Sequence, residues 1–423
     1  MIKITEYNDL DFRALNNRMA EQANAEIERT VAEILQDVRT RGDEALLDYT
    51  ERFDGVRPQP LSVKPQEIDE AIALVGDEFL SILREAAENI SSFHVEQRRE
   101  GFTIEKDGIE LGQRFTAVEK AGLYVPGGTA SYPSTVLMDS IPAKIAGVDE
   151  LILCTPPGKD GKIAPAILAA AHVAGVDRIF KCGGAQAIAA MAFGTESIPR
   201  VYKIVGPGNI FVATAKRMVF GQVSIDMIAG PSDVLVIADE NANAVCVAAD
   251  MLAQAEHDKM ATAILVTTSR RLAEDTAQEL EQQLARLPRS EIAGASIRNN
   301  GKIILCADLD EAVECANRIA PEHLELCVAN AKSLLPLVRN AGSIFLGYSS
   351  PEALGDYFAG PNHTLPTMGT ARFASPLSVD DFIKKSSVTS YSNEALLRAA
   401  DKIAAFARAE GLEAHARSVE VRK

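Results

Sequence analysis

Four of the chain's six histidines lie in polar loops or at helix ends, close to carboxylates in sequence. That placement suits acid-base work or metal binding. In "MLAQAEHDKM" (251–260) an amide, a carboxylate and an imidazole close an apolar helical run. Val247, Ala248, Met251 and Ala255 recur at helical spacing and predict a core-facing stripe. At about 100° per residue, Gln254 and His257 project within about 60° of each other, and Glu256 leaves the helix away from that edge. Taken alone, the pair reads as a surface hydrogen bond near a helix C-terminus, where the dipole favours His; the alternative is two ligands facing one ion.

Three further segments carry chemistry-bearing residues. In "IAPEHLEL" (319–326), Glu322 and His323 stand side by side at the mouth of a short apolar run. Carboxylate and imidazole can both be tuned toward neutral pH and act as base and acid, although a solvated loop pair has the same sequence. The Gly/Pro-rich loop "LGDYFAGPNHTLPTMGTARF" (354–373) holds Asp356 and His363, and "AEGLEAHARS" (409–418) holds Glu410 and His415. Gln254, His257, Asp356 and His415 together make a nitrogen and oxygen donor set suited to Zn²⁺ or Mn²⁺. No C-x-x-C or H-E-x-x-H spacing imposes it. His94 and His172 lie within helical patterns and read as structural.

Glycine-rich turns follow predicted strands at "YVPGGTASYPS" (124–134), "CGGAQAIAAMAFG" (182–194) and "VGPGNIFVATAKRMV" (205–219). Each places small residues at a helix start, where backbone N–H groups can approach a phosphate. None completes G-x-G-x-x-G, because Phe211 stands where the third glycine would fall, so tight strand-to-helix turns explain them as well.

These residues need a scaffold, and 423 residues suffice for two to four domains. From Glu26 to Tyr49 and from Glu67 to Phe93 the periodicity is helical. After about residue 120, short apolar runs ("ELILCTP", "RIFKC", "VYKIVG", "DVLVIAD", "TAILVTT", "KIILC", "SIFLG") alternate with Ala-rich segments of helix length. Continuous apolar strands separated by helices predict parallel sheets covered on both faces, in two α/β units. A Ser/Pro/Asp-rich connector from about Arg372 leads to one amphipathic helix over Asn393 to Ala409. With 47% hydrophobic and 24% charged residues the composition is that of a globular protein, and no apolar stretch is long enough for a bilayer. The net charge of −16 argues against nucleic acid or an anionic membrane as partner. The polar N-terminus lacks a signal-peptide pattern, and the six cysteines read as reduced core thiols, so a cytoplasmic location is expected.

Taken in order, "YVPGG", "GGAQAIAA", "GPGN", "AGPSDVLVIAD", "QAEHD", "APEHLEL", "GDYFAGPNH", "SPLSVDDF" and "EGLEAH" resemble the histidinol dehydrogenase family over about residues 120 to 415. The resemblance implies oxidation of L-histidinol to L-histidine with NAD⁺ and one Zn²⁺ per subunit. It places zinc at Gln254, His257, Asp356 and His415, the catalytic pair at Glu322 and His323, and Ser232, His363 and Glu410 near substrate. The zinc ligands and His323 count as substrate contacts too, and Tyr124, Gln186 and Asn209 lie near NAD⁺. It further implies two Rossmann-like parallel-sheet domains, with 124–233 inserted in a larger domain of 21–123 and 234–372. A helical segment precedes them at 1–20, and a tail at 373–423 reaches the partner's site in a homodimer. A dehydrogenase of another small alcohol on the same fold, or a zinc hydrolase without nucleotide, would share much of this residue set.

Overall fold

The computed structural model describes residues 2–12, 25–127 and 131–423. Two parallel sheets organise it. The first has five strands: β4 (Lys120–Tyr124), β5 (Glu150–Thr155), β6 (Arg178–Lys181), β7 (Lys203–Val205) and β8 (Ser224–Ile225), ordered β6-β5-β4-β7-β8. The second has six: β1 (Ile4–Glu6), β9 (Asp233–Ala238), β10 (Thr262–Thr267), β11 (Lys302–Leu305), β12 (His323–Cys327) and β13 (Ser343–Leu346), ordered β1-β11-β10-β9-β12-β13. In chain order the whole five-stranded sheet falls between β1 and β9.

Each sheet is buried on both faces, which is why its strands read as unbroken apolar runs. On β9, Val234, Val236 and Ala238 enter one core while Leu235 and Ile237 enter the other. On β5, Ile152 and Cys154 face one side and Leu151 and Leu153 the opposite side. Fully burying each such aliphatic side chain contributes about 1.5–3 kcal/mol, so register is strongly set. The seven apolar runs named above all form strands. The two predicted N-terminal helices are present as Ala25–Arg41 with Asp43–Asp54, and as Pro65–His94.

Two expectations are corrected. The segment expected to be helical over 1–20 carries a strand among its described residues: Ile4–Glu6 pairs in parallel with β11 as an edge strand, and 13–20 lie outside the described residues. The segment after Arg372 is more than a connector. Residues Ile383–Tyr391 form β14, which joins β2 (Phe102–Lys106) and β3 (Ile109–Ala117) in a three-stranded antiparallel sheet. Its strands are mostly exposed, so no buried stripe announced them. The last helix spans Asn393–Ala409 as predicted, and Glu413–Glu420 folds back on it through Ala404, Ala407 and Ala416. No described helix is long and apolar enough to cross a membrane.

Candidate active site

The C-terminal edge of the five-stranded sheet and the N-terminal edge of the six-stranded sheet meet at a cleft of ≈ 740 Å³. Strands run outward in opposite order from β4 and β7 in the first sheet, and from β9 and β12 in the second. Such switch points open crevices for ligands at the carboxyl ends of strands. The first sheet follows that rule; the second contributes Ser232 just before β9, Glu322 and His323 at the opening of β12, and the end of helix Ala244–Ala255.

Ser232, Gln254, His257, Glu322, His323, Asp356, His363 and Asn209 all line this cleft. Gln254 closes helix Ala244–Ala255 and His257 follows one turn on; Glu256 does not line the cleft. Asparagine 243 caps that helix by accepting from the Val245 N–H, and the apolar stripe of Val247, Ala248, Met251 and Ala255 is buried.

Glu322 and His323 are held by β9. The Glu322 carboxylate accepts the Asp233 N–H at 2.9 Å, while the Asp233 carboxylate accepts the Glu322 N–H at 3.0 Å. Burial raises the Glu322 pKa to about 7, against the opposing pull of His323. For His323, burial alone would lower the pKa, but the carboxylates of Glu352, Glu322 and Asp356 outweigh it and raise it well above the ordinary imidazole value. Its Nδ1 stands 3.7 Å from Glu352 Oε1, and its Nε2 stands 3.6 Å from Asp356 Oδ1. That Nε2 is buried with no hydrogen-bond partner among the described residues.

His363 is fixed at both nitrogens: Nδ1 lies 2.9 Å from the Asp356 carbonyl oxygen and Nε2 lies 3.2 Å from Thr135 Oγ1. Burial lowers the pKa of His363 and of His257, keeping both rings neutral near pH 7.

Glu352 was not singled out in the sequence. It is buried at the start of helix Glu352–Tyr357, one turn before Asp356, and its carboxyl oxygen lies with ligand atoms of His257 and Asp356 inside a 4.8 Å cluster. Assigned so that its NH₂ faces acceptors, the Gln254 amide donates to Glu352 Oε1 at 2.8 Å. The i, i+4 spacing of Glu352 and Asp356 behind Pro351 was the available signal. Asp233 was also missed; at the head of an apolar strand it carries no sequence signature.

Tyr124 and Gln186 do not line the cleft; both are buried. The Tyr124 hydroxyl accepts the Gly184 N–H at 3.1 Å, and Gln186 is buried in the helix that this turn begins. Asn209 caps helix Ile210–Val219, accepting from the Phe211 and Val212 N–H groups. Gly206 has φ +115°, and a Cβ there would lie 2.1 Å from the Tyr124 carbonyl oxygen, so the β7 turn passes where only glycine fits. Glu410 and His415 do not line this chain's cleft; they sit on the exposed hairpin of the two C-terminal helices.

The histidinol dehydrogenase family model matches residues 17–423. The chain belongs to this family. A histidinol dehydrogenase of Geobacter sulfurreducens is 54% identical, covering 98% of this chain and 97% of its own. That of Geobacillus kaustophilus is 55% identical, covering 96% of each. The crystal structure of histidinol dehydrogenase from Elizabethkingia anophelis superposes with a TM-score of 0.94 at 40% identity, covering 100% of this chain and 98% of that one. The family makes the chain an oxidoreductase acting on histidinol in histidine biosynthesis, and the α/β fold agrees with it.

Proposed function

We propose that the chain oxidises L-histidinol to L-histidine through bound L-histidinal, in two NAD⁺-dependent steps, at a zinc site shared between two subunits. The observation that carries the reading is the convergence of Gln254, His257 and Asp356 beside the Glu322–His323 pair in one cleft. The donor chemistry fits Zn²⁺: a ring kept neutral by burial at His257, a carboxylate at Asp356, and an amide at Gln254 whose NH₂ is taken by Glu352. His415 supplies the fourth ligand. When bound, zinc supplies a Lewis-acidic anchor of net charge near +1, suited to the neutral imidazole and amine of the substrate.

The β4–β7 switch point, with Tyr124, Gln186 and Asn209 around its turns, would hold NAD⁺, which would supply the hydride acceptor. In its neutral form, His323 takes the hydroxyl proton as hydride leaves the alcohol carbon. The carboxylates around its ring help it hold that proton. Glu322 then removes a proton from water as it adds to the aldehyde, and the second hydride leaves from the resulting hydrate anion to give the acid. Ser232 and His363 orient substrate from the cleft wall, and Glu410 does so from the tail. Two proton transfers at different atoms need two groups, and the adjacent pair provides them.

His415 and Glu410 reach the site from the partner's tail in a C2 homodimer. Two observations support this arrangement: both residues lie away from their own chain's cleft, and the hairpin that bears them exposes Leu397, Ile403, Phe406 and Leu412. Substrate identity is tested by a panel of small alcohols with NAD⁺ and Zn²⁺, read as NADH absorbance. Histidinol is expected to exceed every other alcohol by at least about 10² in kcat/KM, the discrimination available when buried polar groups are left unpaired by an analogue. Faster turnover of another alcohol, or hydrolysis without nucleotide, overturns the reading.

A further inference from the structure

The face of β12 that presents His323 also carries Glu325 and Cys327, inward positions two and four residues on. Glu325 is only 1% exposed. An aliphatic side chain there would bury without polar cost, as Leu324 and Leu326 do on the opposite face, whereas a buried carboxyl must be hydrogen-bonded.

Its bonds go to two other elements of the site. Glu325 Oε1 accepts the Glu352 N–H at 2.7 Å, at the opening of helix Glu352–Tyr357. That helix has six residues, and its N-cap Pro351 offers no capping side chain. So short a helix has little stability of its own, and the cap arrives from a neighbouring strand instead. On its other side Asp250, one turn before Gln254 on helix Ala244–Ala255, brings a carboxyl oxygen within 4.8 Å of Glu325 and Cys327, and Cys327 Sγ lies 3.8 Å from Oε2. Two carboxyls can hydrogen-bond only if one keeps its proton. Burial, followed by the Asp250 charge, raises the Glu325 pKa to about 8, consistent with such a pair.

We propose that Glu325, braced by Asp250, is a positioning residue for histidinol oxidation: it caps helix Glu352–Tyr357 and thereby sets where Asp356 and Glu352 stand against His323. This inference rests on the cleft being the histidinol site. Glu325 stands among the three elements that bear the chemistry: it lies on β12 with His323, beside Asp250 of the helix that carries Gln254, and it bonds the helix with Glu352 and Asp356. Without the cap the first turn frays, and a misplacement of about 1 Å at a reacting group costs on the order of 10² in rate.

The test compares Glu325→Leu, Glu325→Thr and Glu325→Gln in the full-length zinc-loaded protein. Leu fills the space, Thr favours the strand but cannot reach, and Gln can accept the Glu352 N–H while donating to Asp250. Two quantities are read: kcat with histidinol, and amide hydrogen exchange of the peptide spanning 350–358. Leu and Thr are expected to lose about 10- to 100-fold in kcat and to lose exchange protection in that peptide. Gln should restore kcat to within about threefold and restore protection. Wild-type kcat and exchange in the Leu or Thr variant overturn the proposal, as does a Gln variant impaired as much as Leu. Should the wild-type protein fail to oxidise histidinol, the functional reading falls, and the exchange data still decide the cap.

Discussion

Replacing Glu322 by Gln should separate the two halves of the reaction. The side chain is buried, accepts the Asp233 N–H at 2.9 Å, and lies 4.0 Å from His323 Nδ1. Gln retains an oxygen for that N–H and a similar volume, but it cannot take a proton from water. Loss of a general base costs about 10² to 10⁴ in rate, which corresponds to about 3–5 kcal/mol of barrier. That loss should fall on aldehyde oxidation, while alcohol oxidation, whose proton goes to His323, changes by less than about tenfold. Supplying histidinal directly isolates the second half; with histidinol, a rapid burst near one NADH per site should precede a stall. The pH dependence has a definite sign. Glu322 must be ionised to act, and its pKa is about 7, so wild-type aldehyde oxidation falls as pH drops through that value. A cation in the same cleft moves this limb to lower pH. Equal loss in both halves, with the pH limb intact in the variant, would refute the assignment.

Three other outcomes follow from the same geometry. His257→Ala should bind substoichiometric zinc and lose activity, whereas Glu256→Gln, outside the cleft lining, should keep both; full metal and full rate in His257→Ala contradict the ligand set. Co-expressed His415→Ala and Asp356→Ala chains, purified through two tags, should give mixed dimers with about half the wild-type activity if the tail acts in trans and the sites are independent. Inactive verified mixed dimers would argue for a tail in cis or for sites that work only as a pair. Asp139 is fully buried with a pKa raised to about 8 by burial and then by Asp226. The folded state therefore holds this proton where the unfolded state has lost it, and stability falls as pH rises from about 4 to about 8, by up to about 5 kcal/mol from this group. Asp139→Asn, which keeps the Thr364 hydroxyl bond to Oδ1, should flatten that slope in urea denaturation; an unchanged slope refutes it.

The parallel sheets were legible because strands buried on both faces leave an unambiguous trace, and the runs around Val236 and Leu153 carry it. The edge between Gln254 and His257 was legible because helical geometry fixes which side chains share a face. What stayed hidden depends on contacts between distant segments. Strand β14, with "KKSSVTS" exposed on both faces, is defined by β3 far back in the chain. Glu352 acquires meaning only when helix Glu352–Tyr357 is laid against β12, where it meets His323 and Gln254. Glu325 looks like one more polar residue in "HLELC" until its carboxyl is seen capping that helix. The N-terminal strand Ile4–Glu6 is too short for periodicity and exists because β11 offers it an edge.

A four-electron oxidation completed on one site is tested directly by counting its products. With limiting histidinol, excess NAD⁺ and the zinc-loaded protein, NADH and histidine are measured at completion, with an aldehyde trap in solution. Two NADH and one histidine are expected per histidinol consumed, with no trapped histidinal. One NADH per histidinol, with histidinal recovered in the trap, would contradict it.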